Sequence, residues 1–187
     1  MKIEDYPIFA DKMDTLKEMS KDTSQNIVQY LTDSVVKAVN FDKVKRDYVN
    51  GLGLSEDTAC SADTLAFLPT GPVFIEFKNG KVSPGDIKNK IRDSLLIYGG
   101  ITGQNITETR KYMEFILVYN PQKNIDKSHS PSREIIVNSV AKKAGTEIPR
   151  FDLARYKTLY FFDVHTYTPT ELENYLTSRG VAEMPQL

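Results

Sequence analysis

The segment Val73–Lys78 places an acid and a base inside a run that otherwise has the pattern of a buried β-strand. It reads Val-Phe-Ile-Glu-Phe-Lys, so only Glu76 and Lys78 interrupt its apolar residues. A run that is apolar on both sides is typical of a strand in a sheet covered on both faces. Because ionised groups are costly in such a sheet unless they are paired or bind a ligand, Glu76 and Lys78 are candidate functional residues.

The rest of the pattern predicts one α/β (α+β) domain over residues 1–187, with a central mixed sheet flanked by helices in the order α-α-β-β-α-β-α-β-α. It comprises a helical N-terminal part over residues 1–50, a core over about residues 60–165 and a C-terminal helix over about residues 169–178. Helices are predicted over Tyr6–Met19 and from Ile27 to Ala38, and a helical segment over Phe41–Val49 extends the second helix or stands alone. Strands are predicted over Ala62–Leu68 and Val73–Lys78, and the next helix opens at Ser83-Pro84 and stops at Gly99-Gly100. A strand over Met113–Tyr119, whose apolar run is typical of a central strand, is followed by a helix from Ser130-Pro131, a strand over about Thr158–Val164 and a helix capped by Thr168 and Glu171.

Composition predicts a cytoplasmic protein that does not enter a membrane. The apolar runs are too short to cross a bilayer, and the N-terminus carries acids where a secretory signal carries basic residues. The single cysteine, Cys60, fits a reducing compartment. The net charge of −1 gives no global attraction for nucleic acid, but residues 121–157 carry a net charge of +4. A nucleic-acid ligand would therefore lie against the middle of the chain.

The hairpin predicted between Ala62 and Lys78 determines which side chains share a face. A four-residue loop over residues 69–72 places Asp63 opposite Lys78, with Glu76 diagonal to Asp63. Opposed residues of an antiparallel pair point to the same face, so the two acids and the lysine would gather there. A three-residue loop without a bulge would separate them.

Such a cluster has the groups that metal-dependent phosphodiester hydrolysis needs. Two carboxylates such as Asp63 and Glu76 can hold Mg²⁺ or Mn²⁺, and the carbonyl of Phe77 is a candidate further ligand. A bound cation polarises the phosphate and lowers the pKa of an attacking water. Lys78 would orient that water or offset the charge that develops on the phosphate.

An aspartate followed 13 positions later by Glu-Phe-Lys on the next strand, in α-β-β-α-β order, resembles the core of the PD-(D/E)xK nuclease superfamily. The resemblance covers roughly Ala62 to Asn120. It implies a restriction-endonuclease-like core, Asp63 and Glu76 as ligands of Mg²⁺ or Mn²⁺, and Lys78 as the catalytic lysine. It also implies that the chain acts on nucleic acid, DNA ahead of RNA, in restriction, repair or defence against mobile elements.

The chain departs from the pattern of that superfamily at two positions. Ala62 stands where many members have proline. Many members also add an acid from the first core helix to the site, and Asp33, the only acid inside the second predicted helix, does not lie clearly on the apolar stripe of that helix. Basic residues after the hairpin are candidate nucleic-acid contacts: Lys81, Lys88, Lys90 and Arg92. With little room for a target-recognition domain, specificity would come from loops, a second copy in a homodimer or a partner protein.

Two alternatives to an enzyme remain at this stage. Glu76 and Lys78 also fit a half-exposed strand, with Asp63 as a cross-strand partner of Lys78, in a non-catalytic module that binds protein or nucleic acid. A scaffold protein would instead expose an apolar patch from Tyr160 to Leu176. An open cleft in which both carboxylates converge beside the lysine would favour the enzyme.

Overall fold

The computed structural model describes residues 5–23, 27–125 and 148–181, so the helix predicted from Ser130-Pro131 lies outside the described residues. The helices are α1 (Pro7–Ala10), α2 (Leu16–Met19), α3 (Phe41–Gly51), α4 (Pro84–Thr102), α5 (Ile106–Thr109) and α6 (Pro169–Ser178), with 3₁₀ turns at Glu56–Thr58 and Leu153–Tyr156. The strands are β1 (Met13–Thr15), β2 (Lys21–Asp22), β3 (Gln29–Tyr30), β4 (Lys37–Asn40), β5 (Thr64–Leu68), β6 (Gly71–Lys78), β7 (Glu114–Tyr119) and β8 (Asp163–Tyr167).

Six strands form one mixed sheet in the order β1-β4-β5-β6-β7-β8, and β2 and β3 form a separate pair. The pairs from β1 to β6 are antiparallel, whereas β6–β7 and β7–β8 are parallel. A parallel pair needs a crossover connection, and α4 lies in the connection from β6 to β7. Every residue of β7 is buried, which confirms the prediction of a central strand.

Helices cover both faces of the six-stranded sheet, as predicted. On one face, α1, α3 and α4 bury residues such as Phe9, Phe41 and Ile87 against Phe74 of β6. On the other face, α2 and α6 pack with residues such as Leu16, Leu172 and Leu176 against Ile75 and Ile116. Side chains alternate along a strand, so Glu76 and Lys78 share the α4 face with Phe74. None of the described helices is long and apolar enough to cross a membrane.

The two continuous helices predicted before Phe41 are wrong, although α1, α2 and α3 are helical within the described part of residues 1–50. The segment Tyr6–Met19 forms α1, β1 and α2, and the residues from Ile27 to Ala38 form β3, a segment without regular secondary structure and the start of β4. Three hydroxyl side chains within the region are buried: Ser20, Thr32 and Ser34. Pairing of β4 with both β1 and β5 satisfies its backbone within the sheet, so tertiary pairing overrides the helical spacing. The segment Phe41–Val49 stands alone within α3, one of the two predicted outcomes, and Asn40 caps that helix.

The helix α4 starts as predicted but runs past the predicted stop. The Ser83 side chain accepts a hydrogen bond from the Asp86 N–H, and the helix ends at Gly103, whose φ of 74° is left-handed. Gly99 and Gly100 lie inside the helix, and neighbouring groups come so close to them that a larger residue would not fit without a shift. A Cβ on Gly99 would lie 2.8 Å from the Gln104 carbonyl oxygen, and one on Gly100 would overlap the Tyr48 ring.

The last strand also lies later in the chain than predicted. It spans Asp163–Tyr167, not Thr158–Val164, and only its Val164 and Thr166 are buried in alternation. Phe161, which made the earlier segment look like a strand, is fully buried in the core but belongs to a loop with a single bridge to Lys157. The predicted capping box of Thr168 and Glu171 is confirmed at the start of α6.

A buried polar network on the α6 face joins β7 to α6. Glu114 is 3% exposed, and its carboxylate accepts hydrogen bonds from the Tyr175 hydroxyl at 2.7 Å and the Arg179 guanidinium at 3.1 Å. His165 Nε2 lies 3.3 Å from the same carboxylate. Burial by itself raises the pKa of Glu114, but these contacts and the guanidinium charge outweigh burial, so the pKa lies below its ordinary value.

We expect Glu114→Ala to lower the free energy of unfolding by about 3 kcal/mol at pH 7, because Arg179 and Tyr175 would lose a buried partner. A lowered pKa adds stability above the unfolded value of 4.5, and that stability is lost as the pH falls through the folded pKa. The difference between variant and wild type should therefore shrink in acid. Urea unfolding at pH 7 and pH 4 measures it, with the exposed Glu173→Ala as control; equal stabilities at pH 7 would disprove the expectation.

Candidate active site

The hairpin of β5 and β6 brings Asp63 and Glu76 together, although the predicted register is wrong. The loop has two residues, Pro69 and Thr70, and Thr64 pairs with Ile75. Continued by one residue, this register sets Asp63 opposite Glu76 and not opposite Lys78. The register differs from the predicted one by two residues, and an even shift leaves every side chain on its expected face.

Gly71 accounts for the shorter loop. Its φ of 135° is rarely adopted by other residues, and a Cβ there would lie 2.9 Å from the Tyr112 carbonyl oxygen. The strand can therefore begin at Gly71, two residues before the predicted start. Pro72 follows as the second strand residue, near the strand end where the missing N–H is tolerated.

Lys90 of α4 joins the two acids. Its Nζ lies 3.2 Å from Asp63 Oδ1 and 2.7 Å from Glu76 Oε1. Lys78, the lysine predicted for this role, is half-buried at the end of β6 and, within the described part of the chain, forms no ion pair with either acid. We call Asp63 and Glu76 the carboxylate pair. From the sequence, Lys90 was one of four candidate nucleic-acid contacts, and spacing could not single it out among the basic residues of α4.

Hydrogen bonds from three elements hold Asp63 in position. The Phe77 N–H of β6 donates to Asp63 Oδ2 at 2.7 Å. Just before Asp63, the Ala62 N–H donates to Ser94 Oγ at 2.8 Å, so α4 also fixes the backbone that leads into β5. The Phe41 N–H of α3 donates to the Asp63 carbonyl oxygen at 2.9 Å. Sequence analysis missed Ser94, because a buried serine on an apolar helix face carries no functional signal of its own.

The carboxylate pair carries more negative charge than its surroundings neutralise. The Glu76 side chain is 1% exposed and that of Asp63 16%, yet the two share one ammonium group. Glu76 Oε2 accepts a hydrogen bond from Lys90 at 2.9 Å. Glu76 Oε1 is close enough to Lys90 for an ion pair, but its angle is poor and it accepts no hydrogen bond from any described residue.

Burial raises the pKa of both acids. For Glu76 the nearby charge of Asp63 adds to burial, and the pKa lies well above its ordinary value. For Asp63, burial outweighs the opposing effect of the Lys90 ammonium, and the pKa is also raised. Burial alone would lower the pKa of Lys90, but the two carboxylates outweigh it and raise that pKa. The site therefore favours additional positive charge.

The helix before the hairpin, α3, places one acid, Asp42, where its charge acts on Asp63. It lies in the first turn of α3, and its charge raises the pKa of Asp63 further. Its Oδ1 accepts a hydrogen bond from the Ser61 hydroxyl, two residues before Asp63. Asp33, considered for this role from the sequence, is exposed and pairs with Lys17 at 2.9 Å. The available signal was an acid just after Asn40, the cap of the helix that precedes the hairpin.

The other predicted basic contacts lie on the outer surface. Lys81 precedes α4, and Lys88 and Arg92 are exposed on it. Residues four apart share one side of a helix, so Lys88 and Arg92 face solvent together while Lys90 turns toward the sheet. These three cations are exposed, whereas Lys90 belongs to the site of Asp63 and Glu76.

Asp63 and Glu76 are the two carboxylates that this site could offer to a metal ion. Among the described residues, no three His, Cys, Asp or Glu side chains lie close enough to enclose a metal ion. Mg²⁺ commonly binds one or two carboxylates and keeps several water ligands, so two acids meet its usual need for protein ligands. Lys90 now occupies the position between the acids, so a cation would have to displace its ammonium.

No family model matches the chain, and neither a curated protein nor a solved structure matches it. The chemistry of the site therefore has to be inferred from the carboxylate pair, Lys90 and the fold that holds them.

We expect Lys90→Met to lower the free energy of unfolding by about 3 kcal/mol at pH 8, because Asp63 and the buried Glu76 would lose the ammonium that they share. Since the pKa of Lys90 is raised, its stabilising effect is fully present below the unfolded value of 10.5. The loss should shrink as the pH falls through the raised pKa values of the acids, which then become neutral. Urea unfolding at pH 8 and pH 5 tests this, with the exposed Lys88→Met as the matched control.

Proposed function

We propose that this chain is a divalent-metal-dependent nuclease that hydrolyses phosphodiester bonds in nucleic acid, with Mg²⁺ or Mn²⁺ held by Asp63 and Glu76. One observation carries the proposal: the buried carboxylate of Glu76 and the largely buried carboxylate of Asp63, at opposed positions of the hairpin, share a single ammonium. A purely structural cluster would gain more from apolar side chains of similar volume, because desolvating charges is costly. The excess negative charge is the condition that a divalent cation relieves.

The residues of the site have separable roles in this proposal. A bound cation would polarise the scissile phosphate and lower the pKa of the attacking water. Asp63 and Glu76 would hold the cation, and the carbonyl of Phe77, between Glu76 and Lys78 in the chain, stays a proposed third ligand. Lys90, displaced from between the acids, would remain within reach of the phosphate as a positive charge. Lys78 shares the face of Glu76 at the strand end and is the second candidate for that role.

The topology around the site supports a restriction-endonuclease-like core of the PD-(D/E)xK kind. The helix α3, the hairpin, the crossover helix α4 and the parallel strand β7 follow the α-β-β-α-β order. The substrate we propose is DNA, whose phosphates Lys81, Lys88 and Arg92 would contact. Contacts of this kind position a substrate without reading its sequence. We therefore propose that a second copy of the chain or a partner protein adds specificity in restriction, repair or defence.

A non-catalytic module that binds nucleic acid or protein is the second candidate. Two features favour it: Glu76 is fully buried, and Lys90 already forms an ion pair with both acids. In that case the ammonium would be a permanent counter-ion and no cation would enter. Metal binding therefore separates the two candidates.

We expect Asp63→Asn and Glu76→Gln each to reduce nicking of supercoiled plasmid in Mg²⁺ or Mn²⁺ by at least about 100-fold, and to weaken Mn²⁺ binding in calorimetry. Both variants keep the shape of the side chain, so folding can be checked independently by circular dichroism. Glu173→Gln, an exposed acid on α6, is the matched control and should behave as wild type. Absence of both nicking and metal binding in the wild type would leave the non-catalytic module as the function.

Lys90→Ala and Lys78→Ala distinguish the two lysines. If Lys90 competes with the cation for the carboxylate pair, Lys90→Ala should bind Mn²⁺ more tightly while nicking more slowly at saturating metal. Lys78→Ala, which removes a more distant charge, should change Mn²⁺ affinity less. Calorimetry and nicking rates at saturating Mn²⁺ measure the two effects. Unchanged metal affinity in Lys90→Ala would contradict displacement of the ammonium.

A further inference from the structure

A pocket of about 640 Å³ opens at the carboxyl ends of β6 and β7. We call it the amide pocket, because its walls include the side chains of Gln29, Asn79, Asn120 and Gln122, together with Tyr30. The first residues of α6 complete the wall. Its volume lies in the range of pockets that hold small organic groups.

The lining of the amide pocket contains no Asp, Glu, Lys or Arg. The helix N-terminus at Thr168 is not free for an anion, since the Glu171 carboxylate accepts hydrogen bonds from the Thr168 N–H and hydroxyl. A phosphate would therefore find no cation in the lining and a carboxylate already at the helix end. Amides beside an aromatic ring suit a neutral planar ligand with hydrogen-bonding edges.

Hydrogen bonds hold the back wall of the amide pocket in one arrangement. Asn79 Nδ2 donates to Asp22 at 2.9 Å and to Gln29 at 2.8 Å, and Asn79 Oδ1 accepts from Asn120 at 2.8 Å. Among the described residues, the exposed side-chain amide of Gln122 has no such partner, so both its donor and its acceptor are available to a ligand. The wall is thus preorganised, with one free amide at its rim.

The amide pocket lies at the same edge of the sheet as the carboxylate pair. Asn79 follows Glu76 by three residues, and a strand rises about 3.3 Å per residue, so about 10 Å separates their backbones. The side chains of Asn79 and Glu76 leave opposite faces of the sheet, so the two sites flank the strand end that carries Lys78. A nucleic-acid strand crossing this edge could meet both sites.

We propose that the amide pocket binds a nucleobase of the nucleic acid whose backbone is cut at the carboxylate pair, an inference that rests on the proposed nuclease function. Amide side chains pair with a base edge that offers an adjacent donor and acceptor, as adenine does at N6 and N7. Gln122 supplies that amide. The Lys17 ammonium lies over the Tyr30 ring at 5.2 Å from its centroid, so the base would stack on the ring face away from Lys17. The base enters unstacked from its neighbours, as in enzymes that hold an extruded nucleotide.

Fluorescence anisotropy with labelled 12-nucleotide homopolymers of single-stranded DNA tests the amide pocket in the presence of EDTA, where metal-dependent cleavage is suppressed. We expect the wild type to bind the adenine polymer about tenfold more tightly than the thymine polymer. Gln122→Ala should remove this difference, and Tyr30→Ala should weaken binding of both polymers. Asn50→Ala, an exposed amide at the end of α3, is the matched control and should change neither. Equal binding of both polymers by the wild type, or a preference that survives Gln122→Ala, would overturn the proposal.

The two proposals fail in different ways. Nicking that depends on Glu76, together with binding that is indifferent to Gln122, would reject the amide pocket and leave the nuclease. A base preference that Gln122→Ala abolishes, in a protein that neither binds metal nor nicks DNA, would reject the nuclease and leave a nucleic-acid-binding module that reads a base.

Discussion

The ion pair between Lys90 and the two carboxylates of Asp63 and Glu76 brings together the parts of the structure that matter most for function. It forms only if the hairpin sets the two acids opposite each other and α4 packs so that Lys90 points at the sheet. One ammonium can balance only one of the two carboxylates. Burial raises the pKa of both acids, and the charge of Asp63 adds to this effect at Glu76. This imbalance between two acids and one ammonium is what the proposed divalent cation would relieve.

The crossover helix α4 has two tasks in this arrangement. Its apolar residues, such as Ile87 and Ile91, cover the sheet, while Lys90 and Ser94 reach the carboxylate pair and the backbone before it. The parallel pairing that requires a crossover between β6 and β7 therefore also brings the third charged group to the site. The same edge of the sheet carries the amide pocket, so the proposed backbone cleavage and base recognition lie on either side of one strand end.

Particular residues show how far the site could be predicted. The face shared by Asp63 and Glu76 followed from alternation, and it survived a wrong loop length because the register moved by an even number of residues. The contact with Lys90 could not be foreseen, since a lysine on a helix gives no sign of whether it faces solvent or the sheet. In the N-terminal region, the residues from Ile27 to Ala38 have helical spacing, yet they form β3, an irregular segment and the start of β4, because strand pairing with β2 and β1 outweighs a weak local preference.

By itself, the sequence determined the mixed sheet between helical layers, the central position of β7, and the presence of two acids and a base on one face. These features depend on side-chain alternation, on apolar runs and on capping residues, all of which act between near neighbours in the chain. Only the tertiary structure decided which lysine pairs with the acids, that Asp42 lies near Asp63, and where the amide pocket opens. Those contacts join residues far apart in sequence, and their geometry depends on how strands pair and helices pack over the sheet.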